Sequence, residues 1–434
     1  MINKEYRNRR AKFIQKLGKG SIAILSAAPE VKRNSDNHYP YRQDSDFYYL
    51  TGFNEPEALA VFISGRKEGE FILFNRAPDP KMEEWEGPRA GQTGACEQFG
   101  ADQSFPISLV DEQIPVLMQD CTRLYYHIAR DMAFNRQILQ WFKKVQAKQR
   151  SGVNPPSELL NVESILHEMR LFKSPYEIKC MRKAGEISAA AHIEAMKACR
   201  PGKMEYELEA HLQYGFTKEG SRSPAYPHIV GSGANGCVLH YNHNNCKIQD
   251  GTLVLIDAGA EYENYAADIT RTFPANGRYS AEQRVVYQAV LDAQLAVIDA
   301  IKPGVLWSTL QELSDEYILN GLINIGILSG SRKKLLAQKA WQRFYMHKFG
   351  HWLGLDVHDV GVYKINNKWR ALESGMVLTV EPGIYIPASK DVEEKWWNIG
   401  VRIEDDVLVT PAGCEVLSAK APKTIEAIEG LMAR

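Results

Sequence analysis

The stretch from Gly251 to Phe273, GTLVLIDAGAEYENYAADITRTF, sets the reading of this chain. It opens as a core strand, because Thr252 to Ile256 are all β-branched or aliphatic and no turn residue interrupts them. Asp257 then places a carboxylate where such a strand should stay apolar, and a buried carboxylate without a partner is costly. Asp268 repeats the anomaly in the next short strand. Eleven residues separate the two aspartates, enough for the chain to turn back through the polar connection EYENY and bring both side chains into one pocket.

The same pattern recurs downstream. In GMVLTVEPGIYI (375–386) and GVRIEDDVLVT (400–410), Glu381 and Glu404 each follow strong strand formers. Four carboxylates converging without a cation would repel one another and hold their protons too tightly. Divalent ions remove that difficulty, and a mostly oxygen donor set suits Mn²⁺, Fe²⁺, Co²⁺ or Mg²⁺ better than a thiolate-rich structural zinc site. Two ions roughly 3.5–4 Å apart could share Asp268 and Glu404, a hydrolytic arrangement.

Histidines supply the rest. His347, His351 and His358 fall within HKFGHWLGLDVHD, and His240 stands in VLHYN. One imidazole can complete a metal shell while another donates a hydrogen bond to an oxygen gaining charge.

Helical stretches at Ala281 to Ile301 and Leu306 to Ile325 lie between these strands, so this half of the chain reads as a largely antiparallel sheet faced by helices, an α+β design. It begins at Ser174, where Ser174, Pro175 and Glu177 spell a capping box with proline at the first helical position; the helix runs to about Cys199 and stops at Arg200-Pro201-Gly202. A second helix is expected from Tyr206 to about Lys218. Before Ser174, the apolar runs Ser21 to Ala27, Ala58 to Ser64, Glu70 to Asn75 and Arg123 to Ile128 read as strands, and Asn135 to Gln149 as a helix. The expected organisation is therefore an α/β domain over 1–173 without a catalytic motif, followed by an α+β domain over 174–434.

Bulk properties narrow the function. With 434 residues and 44% hydrophobic content, two cores are the default. Fifty-two basic against 53 acidic residues point to neither nucleic acid nor an anionic membrane. No run of 18 apolar residues suggests a membrane span, and the charged start MINKEYRNRR lacks an apolar signal segment. Seven scattered cysteines with no close CxxC pair fit a reduced, cytoplasmic compartment. The glycine-rich tract GSGANG (231–236) matches neither a Walker motif nor a dinucleotide fingerprint.

Taken together, IDAGAEYENYAADITRTFP, HKFGHWLGLDVHDVG, LTVEPGIY and GVRIEDDVLV resemble the aminopeptidase P branch of the pita-bread metallopeptidase family, and YPYRQDSDFYYLTGFNEPEA extends the likeness into the N-terminal half. The resemblance implies a pita-bread catalytic domain and five ligands for two divalent ions, with Mn²⁺ favoured: Asp257 on one ion, His351 and Glu381 on the other, Asp268 and Glu404 on both. It implies that His240, His347 and His358 surround the substrate, with Arg402 and Tyr385 behind the ligands. Glu381 is the expected proton shuttle. The implied activity is hydrolysis of peptides with proline in the second position, releasing the N-terminal residue. Trp85 and Tyr226 are the expected pocket walls for the proline ring, Trp85 reaching it from the N-terminal domain of the same or a neighbouring subunit. The family likeness also implies a homotetramer in which the N-terminal domain restricts access; some aromatics of the tract HYPYRQDSDFYYLTGF belong to a local core, and their number beside Arg42, Asp44 and Asp46 also suits an interface. A prolidase acting on Xaa-Pro dipeptides and a non-catalytic peptide-binding module are the alternatives. Lys348 and Phe349 depart from the family pattern, which has glycine and another small or apolar residue after the histidine.

Overall fold

The computed structural model describes residues 2–433. The chain divides into two compact units, Met1–Arg170 and Leu171–Arg434.

In the first unit, a six-stranded mixed sheet runs in the spatial order Gln103–Pro106, Phe71–Asn75, Leu59–Ile63, Ser21–Ser26, Arg123–Tyr126, Glu158–Asn161. The apolar runs read as strands from sequence form four of the six. The helix Met132–Gln146 starts three residues earlier than expected, because Asp131 caps it by accepting from the N–H groups of Ala133 and Phe134. One apolar face of the sheet packs Ile22, Val61, Phe74 and Leu124 with Ile138 and Trp141 of that helix.

Most of the aromatic tract follows its core reading. Phe47, Tyr48, Tyr49 and Phe53 are buried in this unit, while Tyr39 is exposed. Asp46 is fully buried as well, bonded to Arg170 at 2.8 Å, His127 at 3.0 Å and Arg130 at 3.2 Å. Burial alone would raise the Asp46 carboxyl, but Arg170 and the histidines hold it well below the usual range. This charge is internal, a core ion cluster.

In the second unit, the capping box at Ser174 forms as its sequence spells it, and the helix spans Pro175–Ala198. With Glu205–Lys218, Ala281–Ala300 and Trp307–Asn324 it covers a set of small antiparallel sheets. The strand Leu253–Asp257 is central in one of them, between Ile229–Ser232 and Thr270–Pro274. A tight hairpin pairs Glu261–Tyr262 with Tyr265–Ala266, turning at Glu263 and Asn264, both with positive φ. That turn folds the chain back and returns Asp268 beside Asp257. Two further sheets pair Val377–Val380 with Asp405–Thr410, and Gly383–Ile386 with Ile399–Arg402. Glu381 and Glu404 sit at the two breaks, where each chain passes from one sheet to the next.

Candidate metal centre

Strand register brings the acidic residues together. Asp257 stands opposite Thr270 across the sheet, and Thr270 Oγ1 donates to Glu404 Oε2 at 2.6 Å. Asp268 is fixed through its backbone N–H, which donates to both oxygens of the buried Asp406 at 3.1 and 3.2 Å. Tyr226 joins the two aspartates: its hydroxyl lies 2.6 Å from Asp257 Oδ1 and 2.5 Å from Asp268 Oδ1. It is thus a ligand-facing group as well as a candidate pocket wall.

His351 completes the set. Its Nδ1–H donates to the Trp352 carbonyl at 2.9 Å, which turns Nε2 towards Asp268 Oδ2 at 3.4 Å and Glu381 Oε1 at 3.5 Å. Thr379 steadies both neighbours, accepting from the His351 N–H at 3.0 Å and facing Glu381 Oε1 at 3.4 Å. Gly350 makes this approach possible: a Cβ there would lie 2.0 Å from the Thr379 carbonyl oxygen.

The electrostatics are those of an anionic cluster kept from water. Burial, then the charge of Asp268, pushes Glu404 well above the ordinary carboxyl range, and Glu381 is lifted to about 7 for the same reasons. Asp257 is also raised, by burial against the opposing pull of Arg402. For His351, burial would lower the imidazole, but the hydrogen bond to Asp268 and the charge of Glu381 lift it to about 9. Burial first and anionic neighbours second make the three carboxyls hold their protons, and the anionic neighbours hold the proton on His351 against its burial, a condition that a divalent cation would relieve. The donor set fits such ions: ligand atoms of Asp268, His351 and Glu404 lie within 4.8 Å of one another.

Behind the ligands runs a chain of hydrogen bonds. Arg402 donates from Nη2 to Asp257 Oδ2 at 2.6 Å, from Nε to Thr270 Oγ1 at 3.0 Å and from Nη1 to the Tyr385 hydroxyl at 2.9 Å. Tyr385 in turn meets His347 Nε2 at 2.8 Å. Since His347 Nδ1–H is spent on the Lys348 carbonyl at 2.8 Å, Nε2 is the acceptor of the Tyr385 proton. Burial and the Arg402 charge push His347 down to about 3, so the ring is neutral.

The other two histidines face outward. His358 is exposed and stacks edge-on against His351, with centroids 4.3 Å apart; partial burial and His351 push it downward. His240, also exposed, lies close enough for its charge to act on both His347 and His358. Phe349, the departure from the family pattern, is buried against Trp307 at 4.8 Å, so its bulk goes into the core. Trp85 lies on Pro80–Glu86 of the first unit, a helix with no buried residue, and is 86% exposed.

Thr270, Thr379 and Asp406 were not singled out from sequence. Each stands two residues from a candidate ligand, at 268/270, 379/381 and 404/406, the spacing that puts side chains on the same face of an extended backbone. That spacing was the available signal.

The family model for metallopeptidase family M24 matches residues 179–411, and the aminopeptidase P N-terminal domain matches residues 6–125. The chain belongs to metallopeptidase family M24. A pita-bread catalytic domain therefore follows an aminopeptidase P N-terminal domain. The Xaa-Pro aminopeptidase of Escherichia coli (strain K12) is 45% identical over 433 residues, covering 99% of this chain and 97% of the relative. The structure of Pseudomonas aeruginosa aminopeptidase PepP matches with a TM-score of 0.98 at 51% identity, over 99% of this chain and 98% of that one. Zinc-substituted E. coli aminopeptidase P in complex with product matches with a TM-score of 0.96 at 44% identity, over 99% of this chain and 98% of that one. Family membership and whole-chain likeness thus agree with the buried carboxylate and imidazole donors.

Proposed function

We propose that the cluster is the catalytic centre of an Xaa-Pro aminopeptidase, a metal-dependent hydrolase that releases the N-terminal residue from peptides with proline in the second position. The observation that carries this reading is the grouping of Asp268, His351 and Glu404, with Tyr226 joining Asp257 to Asp268 and with Glu381 3.5 Å from His351, inside a chain that matches aminopeptidases P over its full length. Asp257, Asp268, His351, Glu381 and Glu404 would hold two divalent ions, Mn²⁺ being the favoured metal. Bound ions of this kind lower the pKa of water and neutralise developing negative charge.

The chain's own residues account for the remaining steps. Glu381, whose Oε1 lies 3.5 Å from His351 Nε2 within the cluster, is the carboxylate placed to take a proton from the attacking water and pass it to the leaving nitrogen. Proline nitrogen has no N–H and leaves only once protonated, so this transfer decides whether the bond breaks. His240 and His358 donate hydrogen bonds to the scissile carbonyl oxygen as it gains charge, an interaction stronger in the transition state than in the ground state. Arg402 fixes Asp257 directly and, through Tyr385, the acceptor tautomer of His347.

Residues 174–434 form the catalytic domain in this reading, and residues 1–173 serve assembly and access. The exposed apolar side chains of Trp85 and Met82 support a homotetramer, since such groups side by side on an unburied helix suit a partner surface. No helix among the described residues is long and apolar enough to cross a membrane; the seven scattered cysteines with no close CxxC pair support a reduced, cytoplasmic compartment. Steady-state rates on Xaa-Pro-Yaa, Xaa-Ala-Yaa and Xaa-Pro test the assignment. Preference for the first supports it, equal cleavage of the alanine peptide overturns the proline specificity, and a large preference for the dipeptide makes the enzyme a prolidase.

A further inference from the structure

We infer that His192, with Ser188 one helical turn before it, is a positioning residue for the metal aspartates, holding the backbone that follows Asp257 against the helix Pro175–Ala198. This rests on the metal-centre reading above.

The segment Ala258-Gly259-Ala260 connects the end of the Asp257 strand to the hairpin that returns Asp268. One of its flanks is tied to that returning chain: the Ala258 N–H donates to the Ile269 carbonyl at 3.1 Å, and the Ala267 N–H donates to the Ala260 carbonyl at 3.0 Å. The Gly259 carbonyl accepts from the Ala225 N–H at 2.9 Å. The Ala258 carbonyl and the Ala260 N–H point to the helix, and side chains satisfy both. His192 Nε2 lies 3.0 Å from the Ala258 oxygen, and the Ala260 N–H donates to Ser188 Oγ at 2.9 Å. Ser188 completes its own bonding by donating to the Ala184 carbonyl at 2.8 Å.

Position and chemistry make these two side chains a clamp. Residues 188 and 192 share one helix face, and both side chains are fully buried. A carbonyl only accepts, so the His192 proton sits on Nε2. Nδ1 has no hydrogen-bond partner among the described residues. A half-satisfied imidazole in the core is less stable than an apolar side chain of similar size, so its retained benefit lies in what Nε2 holds. The segment cannot yield in the other direction, because a Cβ at Gly259 would lie 1.7 Å from the Ala267 oxygen. Ala258 is wedged between the helix and the Asp268 chain, and Asp257 moves only if Ala258 does. His192 and Ser188 therefore set the spacing of the two aspartates without touching a metal or substrate.

The test is Mn²⁺ affinity of the folded, full-length protein, measured by chelator competition on the parent, His192→Leu, His192→Gln and Ser188→Ala. The leucine variant should bind Mn²⁺ roughly tenfold more weakly or worse, as removal of an outer-sphere partner does. Gln should recover most of that loss, since its amide N–H reaches about where Nε2 does. Ser188→Ala should weaken binding in the same sense and decides the matter if the leucine variant does not fold. Parent-like Mn²⁺ affinity in His192→Leu or, failing that, in Ser188→Ala overturns the clamp and leaves these residues as packing only. A parent protein that takes up no divalent ion overturns the metal-centre reading itself, an outcome distinct from a metal-binding parent with unaffected variants.

Discussion

Arg402 and Asp257 are joined by a 2.6 Å charge-assisted hydrogen bond across 145 residues of sequence, and the same guanidinium reaches Tyr385 and Thr270. One planar side chain thus orients a carboxylate proposed to hold metal, a hydroxyl that feeds His347, and a threonine that holds Glu404. Lysine carries the charge but not the fork. Arg402→Lys should therefore lower metal affinity about 10- to 100-fold, and kcat/KM at limiting metal should fall with it. Metal titration followed by kinetics at saturating Mn²⁺ separates the two effects.

Tyr226 makes a sharper case, because its hydroxyl is bound to Asp257 and Asp268 while its ring was expected to line the proline pocket. Tyr226→Phe keeps the ring and deletes only the donor. We expect about a tenfold loss of Mn²⁺ affinity with an unchanged ratio of Xaa-Pro-Yaa to Xaa-Ala-Yaa cleavage at saturating metal. A changed ratio with intact metal binding would assign the hydroxyl to substrate instead.

The raised acids give the metal-free protein a defined pH response. Glu381 is lifted from its ordinary 4.5 to about 7, and Glu404 and Asp257 are also raised. The folded state then binds more protons than the unfolded state above about pH 4.5, so these groups cost stability progressively as pH rises towards 7. His351, lifted from 6.5 to about 9, contributes stability that is full below 6.5 and lost as pH rises through 9. Both trends run the same way, and bound cations cancel both. The gain in Tm on adding Mn²⁺ should be larger at pH 8 than at pH 5.5. Thermal scans at the two pH values read this directly, and a gain that shrinks with pH contradicts it.

Much of this cluster was legible because its carboxylates break a local rule. A carboxylate ending an apolar strand at Asp257, and glutamates following strand formers at 381 and 404, are anomalies that sequence displays without any structure. The capping box at Ser174 is equally local. What stayed hidden depends on contacts between distant parts of the chain: Tyr226 with Asp257 across 31 residues, Thr270 with Glu404 across 134, Asp46 with Arg170 across 124. Asp46 beside the aromatic tract also suited an interface, because polarity there looks the same whether its partner is another subunit or a buried arginine. His192 likewise reads as an ordinary helix residue until the backbone beside it is known.

Gly350 supplies a stability test of the close packing around His351. Alanine there would press its Cβ to 2.0 Å from the Thr379 oxygen, and backbone cannot give way as a flexible side chain can. Overpacking of this kind costs about 1–3 kcal/mol or more. Gly350→Ala should lower the urea midpoint with an unchanged slope and weaken metal binding, because His351 is carried away from Glu381. Equilibrium unfolding checks the first, and chelator competition the second.

The most direct test of the central claim is hydrolysis of an Xaa-Pro-Yaa tripeptide by protein stripped of metal, with removal verified by elemental analysis, and by the same sample after stepwise return of Mn²⁺. The cluster of Asp257, Asp268, His351, Glu381 and Glu404 predicts negligible turnover when stripped and recovery that tracks the ions bound, up to two per chain. Full activity in the verified metal-free protein would contradict the account.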